Sequence, residues 1–319
     1  MFPSPPLKSA VLLLTFKRLD TTQKVLQAIG SVKPQRLYIS SDGPRSHKEG
    51  ESEQIQAVRD YVTQNVDWDC EVKTLFREEN LGCKYAVFSA MKWFFDHEEA
   101  GIILEDDCLP NQSFFWYCAE LLEKYQGDRR IAMISGRNDL DGYKASDDNP
   151  YFFSSRGLIW GWATWRRTFE TFDVELGTAK RPVCPWKLAR SSTSVIEFLY
   201  RRRNLQRIRN QEVSSWAYPW SINMLLNRQL AIIPTHNMIR NIGFDEFATH
   251  TLKVKTDRVP VHELSFPCFS TQEIAADSGF SRKLTLMKYG GLVRFLVNSF
   301  APLRSVRDLL KRGVRFIIS

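Results

Sequence analysis

Three carboxylates in a row, Glu105, Asp106 and Asp107, follow the apolar run GIIL in GIILEDDCLP (101–110). Side by side they repel: at ~4 Å and an effective dielectric of ~20, each adjacent pair costs about 4 kcal/mol. Hard oxygen ligands of this kind suit Mg²⁺ or Mn²⁺, which keep some water and take further ligands from phosphate oxygens. Successive residues leaving a strand point in different directions, so the triplet divides into one metal ligand and acceptors for ligand hydroxyls. The competing reading is a solvated acidic turn ahead of the next helix. Position after an apolar strand is what tips the balance towards a site.

The elements around the triplet alternate. Apolar runs at AVLLLTF (10–16), RLYISSDGP (36–44), CEVKTLFRE (70–78), GIILEDD (101–107) and RIAMISG (130–136) read as strands. Between them, 21–30 with Asp20 as N-cap, 53–65, 84–97 and 114–125 carry helical periodicity. This β-α-β-α order predicts an α/β fold, a Rossmann-like, doubly wound and mostly parallel sheet with helices on both faces. Ligands of such sheets bind beyond the carboxyl ends of the strands, where Asp42, Glu79–Gly82, Glu105–Asp107 and Arg137–Asp139 fall.

After about residue 140 the pattern loosens. A polar stretch (141–150) leads into the aromatic-rich 151–173, a basic helical stretch (194–210), SSWAYPWSINMLLNRQLAIIPTH (214–236) and NIGFDEFATHT (241–251). The sheet is expected to continue through LAIIP (230–234), so the chain is not divided into independently folding halves.

The net charge of +8 is concentrated at one end. Residues 281–319 hold nine Lys and Arg and a single acid, which leaves 35 basic and 35 acidic residues in 1–280. A neutral body excludes a general nucleic-acid binder. In the tail, Leu303, Val306, Leu310, Val314 and Ile317 recur at near-helical spacing between arginines and lysines. That suits a helix on an anionic membrane surface, or a helix docked on the body with a solvated basic face. Six cysteines without a CxxC pair imply neither a zinc framework nor a disulfide one, and favour a reducing compartment. No signal peptide and no membrane span are expected.

Taken together and in order, the segments TFKRLDTT, YISSDGP, ENLGCKYAV, GIILEDDCLPNQSFFWY, SGRND, RGLIWGWATW and GFDEFATHT resemble nucleotide-sugar glycosyltransferases of the A-type (GT-A) fold. They are most similar to the family of the Golgi N-acetylglucosaminyltransferase that starts hybrid N-glycans, and to its bacterial relatives. The resemblance spans about residues 8 to 251. It implies inverting transfer of a GlcNAc-like sugar from a UDP-sugar to the hydroxyl of a glycan or lipid-linked acceptor, on the cytoplasmic face of a membrane. Residues 1–140 would form the nucleotide-binding half, 141–280 the acceptor-side half, and 281–319 a basic amphipathic tail.

The same resemblance implies roles for single residues. Arg18 would lie near the diphosphate or base, Asp42 would accept from uracil, and Lys84 would approach the nucleotide. Asp107 would bind Mn²⁺ (or Mg²⁺) across both phosphates, while Glu105 and Asp106 receive sugar and ribose hydroxyls. Asn138 and Asp139 would stand near the donor sugar, and Trp160, Gly161 and Trp162 beside donor and acceptor. His250 would complete the metal shell or face phosphate. Each has a plainer counterpart: a turn aspartate, a solvated lysine, a cap asparagine, a hydrophobic corner, a structural histidine. In SWAYPW the relatives carry an acid between the tryptophans, as in WDYQW, which would be the general base. Here that position is Ala217, which leaves Glu212, Asp245 or Glu246 as candidates, or an impaired protein that only binds sugar nucleotides. A sugar nucleotidyltransferase is a further alternative. Those enzymes usually have a glycine-rich phosphate loop after the first strand, and TFKRLDTT has no glycine.

Overall fold

A computed structural model describes residues 3–143, 149–176, 185–243, 259–268 and 273–289. In chain order the elements are β1 (Ala10–Thr15), α1 (Leu19–Gly30), β2 (Arg36–Ser41), α2 (Glu51–Gln64), β3 (Glu71–Phe76), α3 (Gly82–His97) and β4 (Ala100–Glu105). Then come β5 (Cys108–Pro110), α4 (Gln112–Lys124), β6 (Ile131–Ser135), β7 (Tyr151–Ser154), β8 (Trp162–Trp165) and α5 (Arg166–Phe169). The remainder are α6 (Pro185–Arg190), α7 (Val195–Arg209), α8 (Ala217–Leu226), β9 (Leu230–Pro234), β10 (Ile239–Asn241) and α9 (Ser278–Tyr289).

Eight strands make one sheet in the order β3-β2-β1-β4-β8-β6-β9-β7. The β3-β2-β1-β4 half is parallel, β8 runs antiparallel between β4 and β6, β9 is parallel to β6, and β7 is an antiparallel edge. The sheet is thus mostly parallel, as the sequence predicts. Because β8 and β9 complete a sheet begun by β1–β4, residues on either side of 140 share one structure.

Period-two alternation puts helices on both faces. Val11 and Leu13 of β1, Ile102 and Leu104 of β4 and Ala163 of β8 join a buried core with Val25, Leu26 and Ile29 of α1 and Phe114, Phe115 and Leu121 of α4. Leu12 and Leu14, Ile103 and Trp162 face the other way, onto Val87, Ala90, Met91 and Phe94 of α3, Trp216 at the N-cap of α8, and Trp220 and Met224 of α8. In β6, successive residues Ala132 and Met133 join the same face, where the register with β9 shifts between Ile131 and Met133. One extra residue restores the alternation, so Ile134 returns to the first core.

Three local expectations are corrected. Helix α1 starts at Leu19 with Arg18 as its N-cap, so Asp20 sits in the first turn and favours the helix dipole without capping it. Two short strands, β5 and β10, pair antiparallel with Asn241 opposite Cys108; neither was expected. A boundary after residue 280 falls inside α9, whose Phe280 and Leu284 are fully buried in the second core. Arg156 donates to Thr285 (2.8 Å) and Tyr143 donates to Asp277 (2.8 Å), which fixes α9 further. The start of the basic tail is therefore part of the body, and the patterned segment 303–317 lies outside the described residues. Among the described residues no helix is long and apolar enough to cross a membrane.

Candidate functional site

The acidic triplet lies where the sheet directs it. β1 and β4 are parallel neighbours with Leu14 opposite Glu105, so the segments leaving them run side by side. The turn from β1 to α1 is three residues long, 16–18. From it the Phe16 amide donates to Asp106 Oδ2 (3.3 Å), and the Arg18 guanidinium donates to both Asp106 and Asp107, at 2.9 Å for Asp107. Just beyond β10, the Ile242 amide donates to the Asp107 carbonyl (2.8 Å). Gly243 then passes so close that a Cβ would overlap Arg18 Nη1 and Asp107 Oδ2. Only a glycine brings the backbone this near the pair.

Two of the three carboxylates, Asp106 and Asp107, pair with the one guanidinium, so the triplet holds more acid than base. Glu105 bears this most directly: among the described residues its carboxylate accepts no hydrogen bond and forms no ion pair. Burial foremost, then the charges of Asp107 and Asp106, push it up to about 8. Burial also raises Asp106, to about 6, against the pull of Arg18. Cys83 at the start of α3 faces the same field; burial, with Glu105, Asp42 and Asp107 behind it, lifts its thiol to about 12. Asp106 and Asp107 offer hard oxygen donors of the kind Mn²⁺ or Mg²⁺ takes, although among the described residues the three carboxylates do not converge on one point.

Asp42 and Lys84 border this cluster, and both already have partners. Asp42 accepts four hydrogen bonds, from the amides of Gly43 (3.0 Å), Leu81 (3.0 Å) and Gly82 (3.1 Å) and from Asn80 Nδ2 (3.0 Å). That uses the full capacity of a carboxylate and ties the end of β2 to the start of α3. Gly43 completes the joint, since a Cβ there would overlap the backbone of Glu79. Lys84 is buried and pairs with Glu175 (2.8 Å), which also accepts from Tyr85 (2.7 Å). Lys84 and Tyr85 hold Glu175 below the usual carboxylate range.

The remaining expectations separate. Arg137, Asn138 and Asp139 leave β6 beside β10; the first two are buried and Asp139 is half-buried. Asn138 donates to the carbonyls of Pro234 (2.8 Å) and Thr235 (2.9 Å) and accepts from Leu140 (2.8 Å), so its side chain is a clasp between β6 and β9. Asp139 pairs with Arg137 (2.8 Å) and with Lys288 of α9 (3.3 Å), away from the triplet. Trp160 is partly buried with the Arg137 guanidinium over its ring at 4.9 Å. Gly161 has a left-handed backbone (φ 62°) and packs against Ile239. Trp162 is 1 % exposed and stacks on Trp216 (5.3 Å between ring centroids). It is core, and it offers no ring face to a sugar.

Ala217 opens α8 and packs against that same tryptophan core. Glu212 is exposed on the turn before α8 and accepts from Asn210 (2.9 Å). Asp245, Glu246 and His250 lie outside the described residues.

Sequence reasoning missed several charged partners. Glu51 is buried between Lys17 (3.0 Å) and Arg45 beside the β1 turn. Hydrogen bonds from Arg45 foremost, with Lys17 assisting, lower it to about 2. Arg59 and Arg77 bracket the end of β2 through Ser41 Oγ (3.1 Å) and Ser40 Oγ (3.1 Å). Basic residues directly after strands, as in FKR and FRE, were the available signal.

No protein-family model matches the sequence, and no curated protein is similar to it. Among solved structures the chain is similar to a UDP-glucose pyrophosphorylase complexed with UDP-glucose, at 9 % identity over 73 % of this chain and 93 % of that one, with a TM-score of 0.40. It is also similar to 4-diphosphocytidyl-2C-methyl-D-erythritol synthase from Anaerococcus prevotii, at 10 % identity over 63 % and 99 %, TM-score 0.35. A third is the inositol-1-phosphate CTP transferase from T. maritima, at 13 % over 52 % and 74 %, TM-score 0.31. Likenesses at this level carry no argument about activity.

Proposed function

We propose that the protein is a metal-dependent glycosyltransferase that takes a UDP-sugar donor. The observation that supports this reading is the triplet at the end of β4, with more acid than base and a Glu105 that has no partner among the described residues. Asp107, and Glu105 or Asp106 beside it, would hold Mn²⁺ or Mg²⁺. Such an ion supplies Lewis-acid stabilisation of the charge that develops on a departing diphosphate. Arg18 already stands at the acids and is a ready donor for phosphate oxygens. Gly243 and β10 lie against one side of the pair, and water kept out when a donor is bound would favour attack by a sugar hydroxyl over hydrolysis. A GlcNAc-like donor sugar, a glycan or lipid-linked acceptor and inverting stereochemistry rest on the sequence resemblance. A cytoplasmic location rests on the cysteine usage, and membrane contact through residues 281–319 on their basic amphipathic pattern.

Ala217 favours a second reading, a chain that binds the donor and turns it over poorly, because a methyl group accepts no proton. The nucleotidyltransferase reading is less well supported. The three-residue turn after β1 gives its first amide to Asp106, which leaves no glycine-rich cradle of amides for a triphosphate.

Calorimetric titration of UDP-sugars with and without Mn²⁺, followed by an assay of UDP release with sugar acceptors, tests the proposal. Metal-dependent binding with release supports the transferase, and binding without release supports the impaired protein. Pyrophosphate formed from a nucleoside triphosphate and a sugar phosphate would favour the nucleotidyltransferase. Binding that ignores Mn²⁺ would remove the role given to Asp107.

A further inference from the structure

We infer that Asp141, His236 and His262 form a second metal site, for a transition ion of the Zn²⁺ class, separate from the acidic triplet. The inference does not rest on the glycosyltransferase reading. Three distant segments converge here: the turn after β6, the turn from β9 to β10, and the stretch 259–268. One ligand atom from each residue lies within 4.8 Å of the others. His262 Nε2 is 3.0 Å and His236 Nδ1 is 3.6 Å from the two oxygens of Asp141. Ligands ~2.1 Å from a tetrahedral ion stand about 3.4 Å from one another. The observed spacing therefore admits an ion with little movement.

The backbone at each ligand is held. The Asn237 amide donates to Asp141 Oδ1 (2.9 Å), and the Gly142 amide donates to the Thr235 carbonyl (3.0 Å). The His262 amide donates to the Asn237 carbonyl (2.9 Å), and Asn111 Nδ2 donates to the His262 carbonyl (2.6 Å). Asn237 Nδ2 closes the set by donating to the Pro260 carbonyl (3.0 Å). Such outer bonds orient metal ligands.

An ordinary His–Asp hydrogen bond accounts for His262 but not for His236. The His236 ring is partly exposed, yet its Nδ1 is buried and has no hydrogen-bond partner among the described residues. The two imidazoles lie 5.0 Å apart by ring centroid, so protonating both would place like charges together. A neutral imidazole pair with one carboxylate and an open position is the donor set of a Zn²⁺-class ion. Bound there, the ion would fasten 259–268 and the start of β10 to the end of β6. The far end of that β10 connection is Gly243, seated on Asp107.

The experiment uses the full chain and Asp107→Asn, which weakens the acidic triplet as a competing site. Metal-free protein is titrated with ZnCl₂, and separately with CoCl₂ followed by visible absorption. The expected result is one Zn²⁺ per chain retained by Asp107→Asn, with visible cobalt bands and no thiolate-to-metal charge-transfer band. The His236→Gln/His262→Gln protein should lose that equivalent and those bands, and its melting temperature should no longer rise with Zn²⁺. His262→Gln alone, at a half-exposed ring, should weaken binding at least tenfold while circular dichroism stays unchanged. Absence of cobalt bands in the wild type and in Asp107→Asn would overturn the inference. So would a thiolate band, or uptake by the double histidine variant equal to that of the wild type.

Discussion

Replacing Arg18 with Gln removes the cation that Asp106 and Asp107 share beside Glu105, with little loss of volume. Each guanidinium–carboxylate contact contributes up to ~4 kcal/mol at about 4 Å and an effective dielectric of ~20. Arg18 is 34 % exposed, and solvent screens part of that gain; the expected cost of the change is about 2–3 kcal/mol. The pH dependence has a definite sign. Asp106 and Glu105 titrate at about 6 and about 8 in the folded protein, against ordinary values of 3.8 and 4.5. Acids raised in this way favour the unfolded chain once it ionises, so their penalty is absent below about pH 4 and grows as pH rises towards 8. Without Arg18 the growth is steeper. The Arg18→Gln deficit should be smaller at ~pH 5, where the Asp107 pair alone is lost, than at ~pH 8. Urea unfolding followed by circular dichroism at both pH values measures it, and the full deficit corresponds to roughly 3–5 °C in Tm. Mn²⁺ should narrow the gap at the higher pH. A deficit under about 0.5 kcal/mol, or one equal at both pH values, refutes the claim that Arg18 neutralises the triplet.

Glu105→Gln should raise the stability of the metal-free protein at ~pH 8 by about 1 kcal/mol while weakening Mn²⁺ binding, as expected where function keeps a strained charge; thermal melts and calorimetry report the two halves. Mn²⁺ affinity of the wild type should rise roughly 20-fold between about pH 6.5 and pH 8.5, because a proton on Glu105 competes until about 8; a flat profile from calorimetry would count against Glu105 as a ligand. Glu51→Gln should cost about 3 kcal/mol near neutral pH by urea unfolding, since it strands Lys17 and Arg45. Because Glu51 is lowered to about 2 from 4.5, the stability that it contributes is present above pH 4.5 and fades as pH falls through 2. Relative to a chain ending at residue 289, one ending at 277 should be less stable by about 3–5 kcal/mol through loss of Phe280 and Leu284; melting temperatures of the two proteins decide.

The strand–helix alternation of the first 135 residues was legible because each element is long enough to show its period. The triplet was legible because three like charges after an apolar strand are costly anywhere else. What tertiary partners do to a side chain was not legible. Asp42 and Asn138 sit at strand ends, as site residues do, yet the structure spends their acceptors and donors on the fold. Trp162 lies in a motif that reads as a ligand surface, but a four-residue strand turns it towards Trp216 and Trp220. β5 and β10 span three residues each, too few for any periodicity. Asp141, His236 and His262 share no motif spacing; the β6–β9 pairing brings the first two together, and the His262 amide on the Asn237 carbonyl adds the third.

The reversed strand β8 also governs the order in which the chain is completed during synthesis. β6 leaves the ribosome before β8, yet in the finished sheet it meets β4 only through β8. The nascent IAMIS segment therefore waits for about 30 residues, a few seconds at ~5–20 residues per second, with both apolar faces and both edges open. During that interval the free edge of β4 is its nearest competitor for pairing. Release of that risk coincides with the emergence of Trp162–Trp165, so slow codons or chaperone contacts placed just after that point would act when the two halves of the sheet first become joinable.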